Sequence, residues 1–190
     1  TSTTDSYNVA VGYGAGESVT TGVQNTLIGG LAGDALTTGG QNVAIGYLAL
    51  SLETTSANNV AIGREALKTS NGGSGNTAVG RTALAATTTG DDNVGVGLNA
   101  LLANTTGTLN VAVGMNAVDA NTTGDKNTGI GQGALSTNTT ADSNTAVGFA
   151  SLNLNTTGDN NTAIGQLSLT ANTTGRFNVA SGVDALRRST

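Results

Sequence analysis

Small apolar clusters recur along the chain at constant spacing, each set between polar stretches: Val43-Ala44-Ile45, Val60-Ala61-Ile62, Thr77-Ala78-Val79 and onward. An Asn precedes each cluster and a Gly follows it. The Asn positions are Asn8, Asn25, Asn42, Asn59, Asn76, Asn93, Asn110, Asn127, Asn144, Asn161 and Asn178, and the numbering rises by the same 17 at every step, without insertion or deletion. All eleven have a Gly four places on. With this Asn as position 1, the unit reads Asn, Val or Thr, Ala, Ile or Val, Gly, two variable residues, Ala or Ser, Leu, two variable residues, Asn, Thr, Thr, Gly and two variable residues. Residues 161–177 show it almost undiluted.

A 17-residue period is too short for a pair of helices, and β-branched residues punctuated by Gly favour strands and turns. The unit predicts one coil of a parallel β-solenoid, an all-β fold of eleven such coils. Asn42-Val43-Ala44-Ile45-Gly46 is a short strand whose alternate residues face opposite sides. Ala49-Leu50 and its equivalents supply the opposing layer, and Asn155-Thr156-Thr157-Gly158 has the composition of a turn. Gly in that turn is expected to take up positive φ. Stacking at about 4.8 Å gives roughly 50 Å of rod, with parallel ladders between coils satisfying the backbone.

The strand is apolar or small on both faces, so both require cover. One covers the interior of its own coil; the other predicts self-association. The chain reads as a single repeat domain over 1–190: a partial coil 1–7, ten full coils 8–177 and a partial coil 178–190. It begins and ends in mid-repeat without the atypical capping units of solenoids, apart from Ser181, Arg187 and Arg188 near the end. The expectation is a segment of a longer fibre.

Composition narrows the chemistry. The 29 Gly are about twice the usual share, yet 11 stand at position 5 and 8 at position 15, so the excess belongs to the repeat. Pro is absent, as suits coils that must donate backbone hydrogen bonds to their neighbours. Without Cys or His there is no disulfide framework, thiol nucleophile, imidazole proton shuttle or zinc ligand set of the usual kind. Seven Lys and Arg against twelve Asp and Glu leave no basic footprint for nucleic acid or anionic lipid. No apolar run of about 20 residues predicts membrane insertion, and residues 1–5 lack the pattern of a signal peptide.

The units Asn59-Val60-Ala61-Ile62-Gly63 and Asn161-Thr162-Ala163-Ile164-Gly165 resemble the head repeats of YadA-type trimeric autotransporter adhesins. That resemblance implies a trimeric, left-handed parallel β-roll. The longer form ending in Asn-Thr-Thr-Gly is similar to repeats in bacteriophage tail-fibre and other virion-fibre proteins. The adhesin repeat is typically shorter than this one, and neck, stalk, membrane anchor and chaperone are not in the chain. The resemblance implies an extracellular, non-enzymatic rod that supports host attachment from a virion. Its alternative is a bacterial surface head that binds host matrix or glycan.

Four features are weighed as sites. Position 6 varies most, and Tyr13, Tyr47, Arg64, Arg81 and Phe149 in it form either a ligand-contacting stripe for host glycan or protein or a surface under relaxed constraint. Position 16 carries Asp91, Asp125, Asp142 and Asp159, whose stacking suggests Ca²⁺, although neither a nonapeptide repeat nor an EF-hand loop is present. As exposed turn carboxylates they are expected to lean apart in water, and no cofactor or catalytic pair is expected. Thr at positions 13 and 14 recurs in every complete unit but the one with Asn71 and Gly72, which raises ice binding as a third function. Adjacent Thr side chains on opposite sides argue against it. Finally, Asn104, Asn121, Asn138, Asn155 and Asn172 form sequons but read as an Asn ladder along the stack.

Overall fold

A computed structural model of the chain describes residues 6–188. The apolar clusters form eleven three-residue strands: β1 (Val9–Val11), β2 (Thr26–Ile28), β3 (Val43–Ile45), β4 (Val60–Ile62), β5 (Thr77–Val79), β6 (Val94–Val96), β7 (Val111–Val113), β8 (Thr128–Ile130), β9 (Thr145–Val147), β10 (Thr162–Ile164) and β11 (Val179–Ser181). They make one parallel sheet in chain order, each residue paired with its equivalent in the next coil, as Val43 with Val60 and Ala44 with Ala61. The fold is therefore a β-solenoid with one repeat unit per coil. The partial coil 1–7 and the end of 178–190 fall mostly or partly outside the described residues.

Position 3 points inward and is buried from β2 to β11. Positions 2 and 4 point outward and are half-buried or exposed, with Val11 at 57% and Ile164 at 46%. Each strand stops at a Gly with φ between 123° and 136°, a region open only to Gly. Space is equally short there: a Cβ on Gly114 would lie 2.7 Å from the carbonyl oxygen of Gly131 in the next coil.

The opposing layer is not a second sheet. It is a run of turns in which positions 7 and 9, together with position 17 at the far corner, hold φ between 48° and 71° in coil after coil. Leu50, Leu67, Leu84 and Leu101 all adopt this left-handed conformation, as does the β-branched Val118. The cost is roughly 1 kcal/mol or more per residue. What it achieves is hydrogen bonding in both directions. The Leu48 N–H donates back to Gly30 at 3.1 Å, while the Leu50 N–H donates forward to Ala66 at 3.0 Å. Alternating left-handed residues thus ladder this layer without extended strands.

Between the layers lies about one large side chain per coil. Position 9 Leu usually fills the space beneath a position 3 Ala. Where position 9 is Gly16 or Gly33, Leu27 at position 3 occupies the room instead: Cβ atoms on those glycines would meet its side chain at 2.6 and 2.8 Å. The converse holds where position 3 is Gly95 or Gly129, which face Leu84 and Val118. Close packing makes such volume exchange between layers obligatory.

The leading Asn closes each coil. Its Oδ1 accepts the backbone N–H of the next Asn, as Asn110 does from Asn127 at 2.9 Å. Its Nδ2 reaches the position 15 carbonyl of its own coil, as Asn127 does to Ala141 at 2.7 Å. Both are fully buried. The Gly at position 15 differs from expectation. Gly90, Gly107, Gly124, Gly158 and Gly175 have no positive φ; they are small because the chain passes close to the Asn side chains and, at the first four, to the next coil's carbonyl.

This distinction gives a paired prediction. Gly114→Ala should destabilise the rod by about 2–3 kcal/mol, from strained φ and clash together. Gly124→Ala brings a Cβ to 2.3 Å from the Ala141 carbonyl oxygen but carries no φ strain, and should cost less, since Ala141 and Ser56 already occupy that column. Urea melts of the two variants check the order, and equal losses would contradict it.

Candidate functional site

The side chains at position 6 form one exposed column along the edge of the sheet. Tyr47, Arg64 and Arg81 stand in consecutive coils, about 4.8 Å apart. The column is stacked: a Cβ on Gly30 would touch the Tyr47 ring at 3.4 Å. Tyr13 is 85% exposed, and Phe149 and Tyr47 about half. Arg64 pairs with Glu65 beside it at 3.1 Å. Tyr13 lies two coils before Tyr47 and Phe149 four coils beyond Arg81, roughly 19 Å away. The fold thus aligns the five residues without gathering them into one pocket.

The Asp column behaves otherwise than expected. Rather than leaning apart, each carboxylate accepts the position 16 N–H of the preceding coil: Ser74 to Asp91 at 2.7 Å, Thr108 to Asp125 at 2.7 Å, Asp125 to Asp142 at 2.7 Å and Asp142 to Asp159 at 3.0 Å. The carboxylates therefore extend the backbone ladder around a corner where strands do not run. Asp159 also pairs with Arg176. The Asp142 N–H, foremost, and Arg176 hold its carboxyl below the usual range against an opposing effect of burial. Among the described residues, no group of three or more Asp, Glu, His or Cys is placed to hold a metal ion.

The two Thr columns separate. Position 13 hydroxyls donate to the position 13 carbonyl of the next coil, as Thr105 to Thr122 at 2.9 Å and Thr122 to Thr139 at 3.0 Å. Thr side chains at position 14 point to solvent in single file. The Asn ladder expected at position 12 is present. The Nδ2 of Asn121 donates to Asn104 Oδ1 at 2.9 Å, and that of Asn138 to Asn121 Oδ1 at 2.8 Å; both side chains also reach the following position 15 carbonyl. These amides are buried, so the sequons are consumed by structure.

One residue escaped the sequence reading. Glu53 occupies position 12 in the third coil, where it is fully buried with no cation beside it. Five donors converge on it. The backbone N–H groups of Thr54, Thr55 and Ser56 donate to Oε1 at 2.8, 2.9 and 2.8 Å. Ser70 Oγ and the Gly72 N–H donate to Oε2 at 2.9 and 3.1 Å. Burial pushes the carboxyl up, but hydrogen bonds from Ser56, Gly72 and Thr55 outweigh it and hold the group below the ordinary Glu range. The available signal was a lone charge in a column that otherwise reads Val, Leu, Ser, Thr and Asn.

Comparisons of the chain with family models, with curated proteins and with solved structures give no match. Among the described residues no helix is long and apolar enough to cross a membrane.

The Glu53 cage makes stability pH-dependent. Because the folded-state pKa is lowered, its contribution is fully present above the unfolded pKa and is lost as pH falls through the folded value. Glu53→Gln keeps one acceptor oxygen but turns the other into an NH₂ that faces N–H donors, and should cost about 2–3 kcal/mol at neutral pH. The variant should also show a shallower loss of melting temperature on acidification below the Glu range. A parallel acid titration of both proteins checks this.

Proposed function

We propose that the chain is a non-enzymatic structural segment of an extracellular fibre, of the phage-tail or other virion-fibre type, in which three copies form a rigid rod supporting host attachment. The observation that carries this reading is the outward sheet face. Positions 2 and 4 of all eleven strands hold only Val, Ile and Thr, with Ser181 the one exception, and no charge. Eleven strands at about 4.8 Å, each about 10 Å long, make a face of about 500 Å² in projection. That is at the upper end of the largest patches single chains expose, which are often functional, and Val and Ile make up most of it, with five Thr at position 2. The charged residues of the ten complete units stand instead at positions 6, 7, 10, 12, 16 and 17, away from this face. Three copies rather than two follows from the resemblance to trimeric β-roll repeats. A rod of this kind works mechanically, its in-register ladder resisting bending and proteolysis while it holds an attachment end away from its base.

Ile62 lies on the outward face and is half-buried in the single chain. Ile62→Asp should therefore leave the coil folded and block assembly, because an unpaired charge is costly in a dry interface. Light scattering should give a trimer for the native chain and a monomer for the variant. A native monomer, or a trimer in the variant with unchanged melting temperature, would refute the proposal.

A second reading, a bacterial surface head that binds matrix or glycan along its flank, is favoured by the exposed Tyr47, Arg64 and Arg81 in consecutive coils. On that reading Tyr47→Ala with Arg64→Ala should abolish retention on a glycan or matrix surface while leaving oligomeric state unchanged. No retention of the native protein would dispose of it.

A further inference from the structure

One coil departs from Asn-Thr-Thr-Gly in a way a uniform rod does not require. Asn71-Gly72 stands at positions 13 and 14, and it is the one Asn-Gly dipeptide in the chain. Both residues are exposed. Gly72 has a φ of 115°, and an added Cβ would meet nothing nearer than a Thr89 methyl at 3.9 Å, so the Cα side of the residue is open. The Gly72 N–H points at a carboxylate oxygen, Glu53 Oε2, at 3.1 Å. The side-chain carbonyl oxygen of Asn71 accepts a hydrogen bond from Thr54 Oγ1 at 3.1 Å. A nucleophile with a base on its proton, next to a carbonyl with a donor on its oxygen, is the arrangement that acyl transfer uses.

We propose that Asn71 is a self-modification site, at which the backbone nitrogen of Gly72 attacks the Asn71 side-chain carbonyl and converts the residue to aspartate or isoaspartate. The Gly72 nitrogen lone pair forms a bond to Asn71 Cγ, the carbonyl π pair moves onto Oδ1 beneath the Thr54 hydroxyl, and the N–H proton passes to Glu53 Oε2. As the tetrahedral intermediate collapses, the Cγ–Nδ2 bond breaks. The amide nitrogen leaves as ammonia, taking back the proton held on Glu53 Oε2. Water then opens the five-membered imide at either carbonyl, giving aspartate or isoaspartate. One water is consumed and one ammonia released, with no oxidant or cofactor. Glu53 and Thr54 both come from the preceding coil, so the site exists only when two coils are stacked.

The product would matter to a rod. Either outcome adds a negative charge in the coil next to buried Glu53, and isoaspartate lengthens the backbone by one carbon in a stack whose register depends on a constant coil length. This inference does not rest on the fibre reading, since it concerns chemistry within one chain.

The test is peptide mapping by mass spectrometry of the full chain aged at neutral pH, scoring aspartate and isoaspartate at residue 71. A free peptide of residues 68–77 serves as the unfolded reference. The folded chain should convert about tenfold faster than the peptide, or more. Glu53→Gln should bring the rate down to the peptide's or below, and Thr54→Val should slow it several-fold. If Glu53→Gln fails to fold by circular dichroism, Thr54→Val alone carries the test, because the hydroxyl it removes is half-exposed and bonds Asn71. A native chain in which Asn71 outlasts the peptide would overturn the proposal. So would a folded Glu53→Gln that converts faster, which would make Glu53 a clamp, or a Thr54→Val rate equal to the native one.

Discussion

Every coil must retrace the backbone path of its neighbour at the spacing of a β-ladder, and the remaining features follow from that requirement. The position 5 Gly turns the chain where a Cβ would strike the next coil's carbonyl. The position 1 Asn then holds the path in register, accepting the following Asn's N–H while it bonds the carbonyl that closes its own coil. Neither role passes to another side chain: a carboxylate at position 1 would lose the donor, and any L-residue at position 5 would be strained. Stability is then approximately a sum over neighbouring coils, so a defect acts locally on the two interfaces it touches.

The interior that results is thin. One Leu or Val from the turn layer meets one Ala or Gly from the sheet in most coils, and the second coil reverses the sizes with Leu27. Such a core buries little apolar area per residue, so polar ladders have an unusual share in cohesion. Buried Asn columns, Thr hydroxyls on carbonyls and Asp side chains on N–H groups all run along the stack. Buried polar networks of this kind contribute when every member is satisfied and cost heavily otherwise. Glu53 is the extreme member, an anion held by five neutral donors at the point where position 12 passes from apolar Val19 and Leu36 to the polar Ser70, Thr87 and Asn104.

Charge placement follows the same logic. Excluding ionised groups from the strand segment leaves an outward sheet face with neither charge nor amide. The turns carry Asp, Lys, Asn and Thr and meet solvent. The separation of an uncharged sheet face from a charged and polar rim is the observation on which the proposal of lateral association rests.

The 17-residue period, the coil count, the strand positions and the Asn ladder at position 12 were legible in the sequence, because periodicity is one-dimensional and each column repeats its chemistry eleven times. Asn71 and Gly72 were visible too, but only as an irregularity. The tertiary structure decided what depends on the sign of φ and on which layers meet. Leu50 and its equivalents ladder in a left-handed conformation rather than as a strand, which side-chain identity does not signal because Leu ordinarily avoids it. The position 15 Gly is small for want of space, not for positive φ, since the carbonyl it approaches belongs to another coil. Glu53 became a caged anion, and Gly72 its neighbour, only when stacking brought residues 53, 70 and 72 together. Pattern sets the column a residue occupies, but the partners it meets come from the coils above and below.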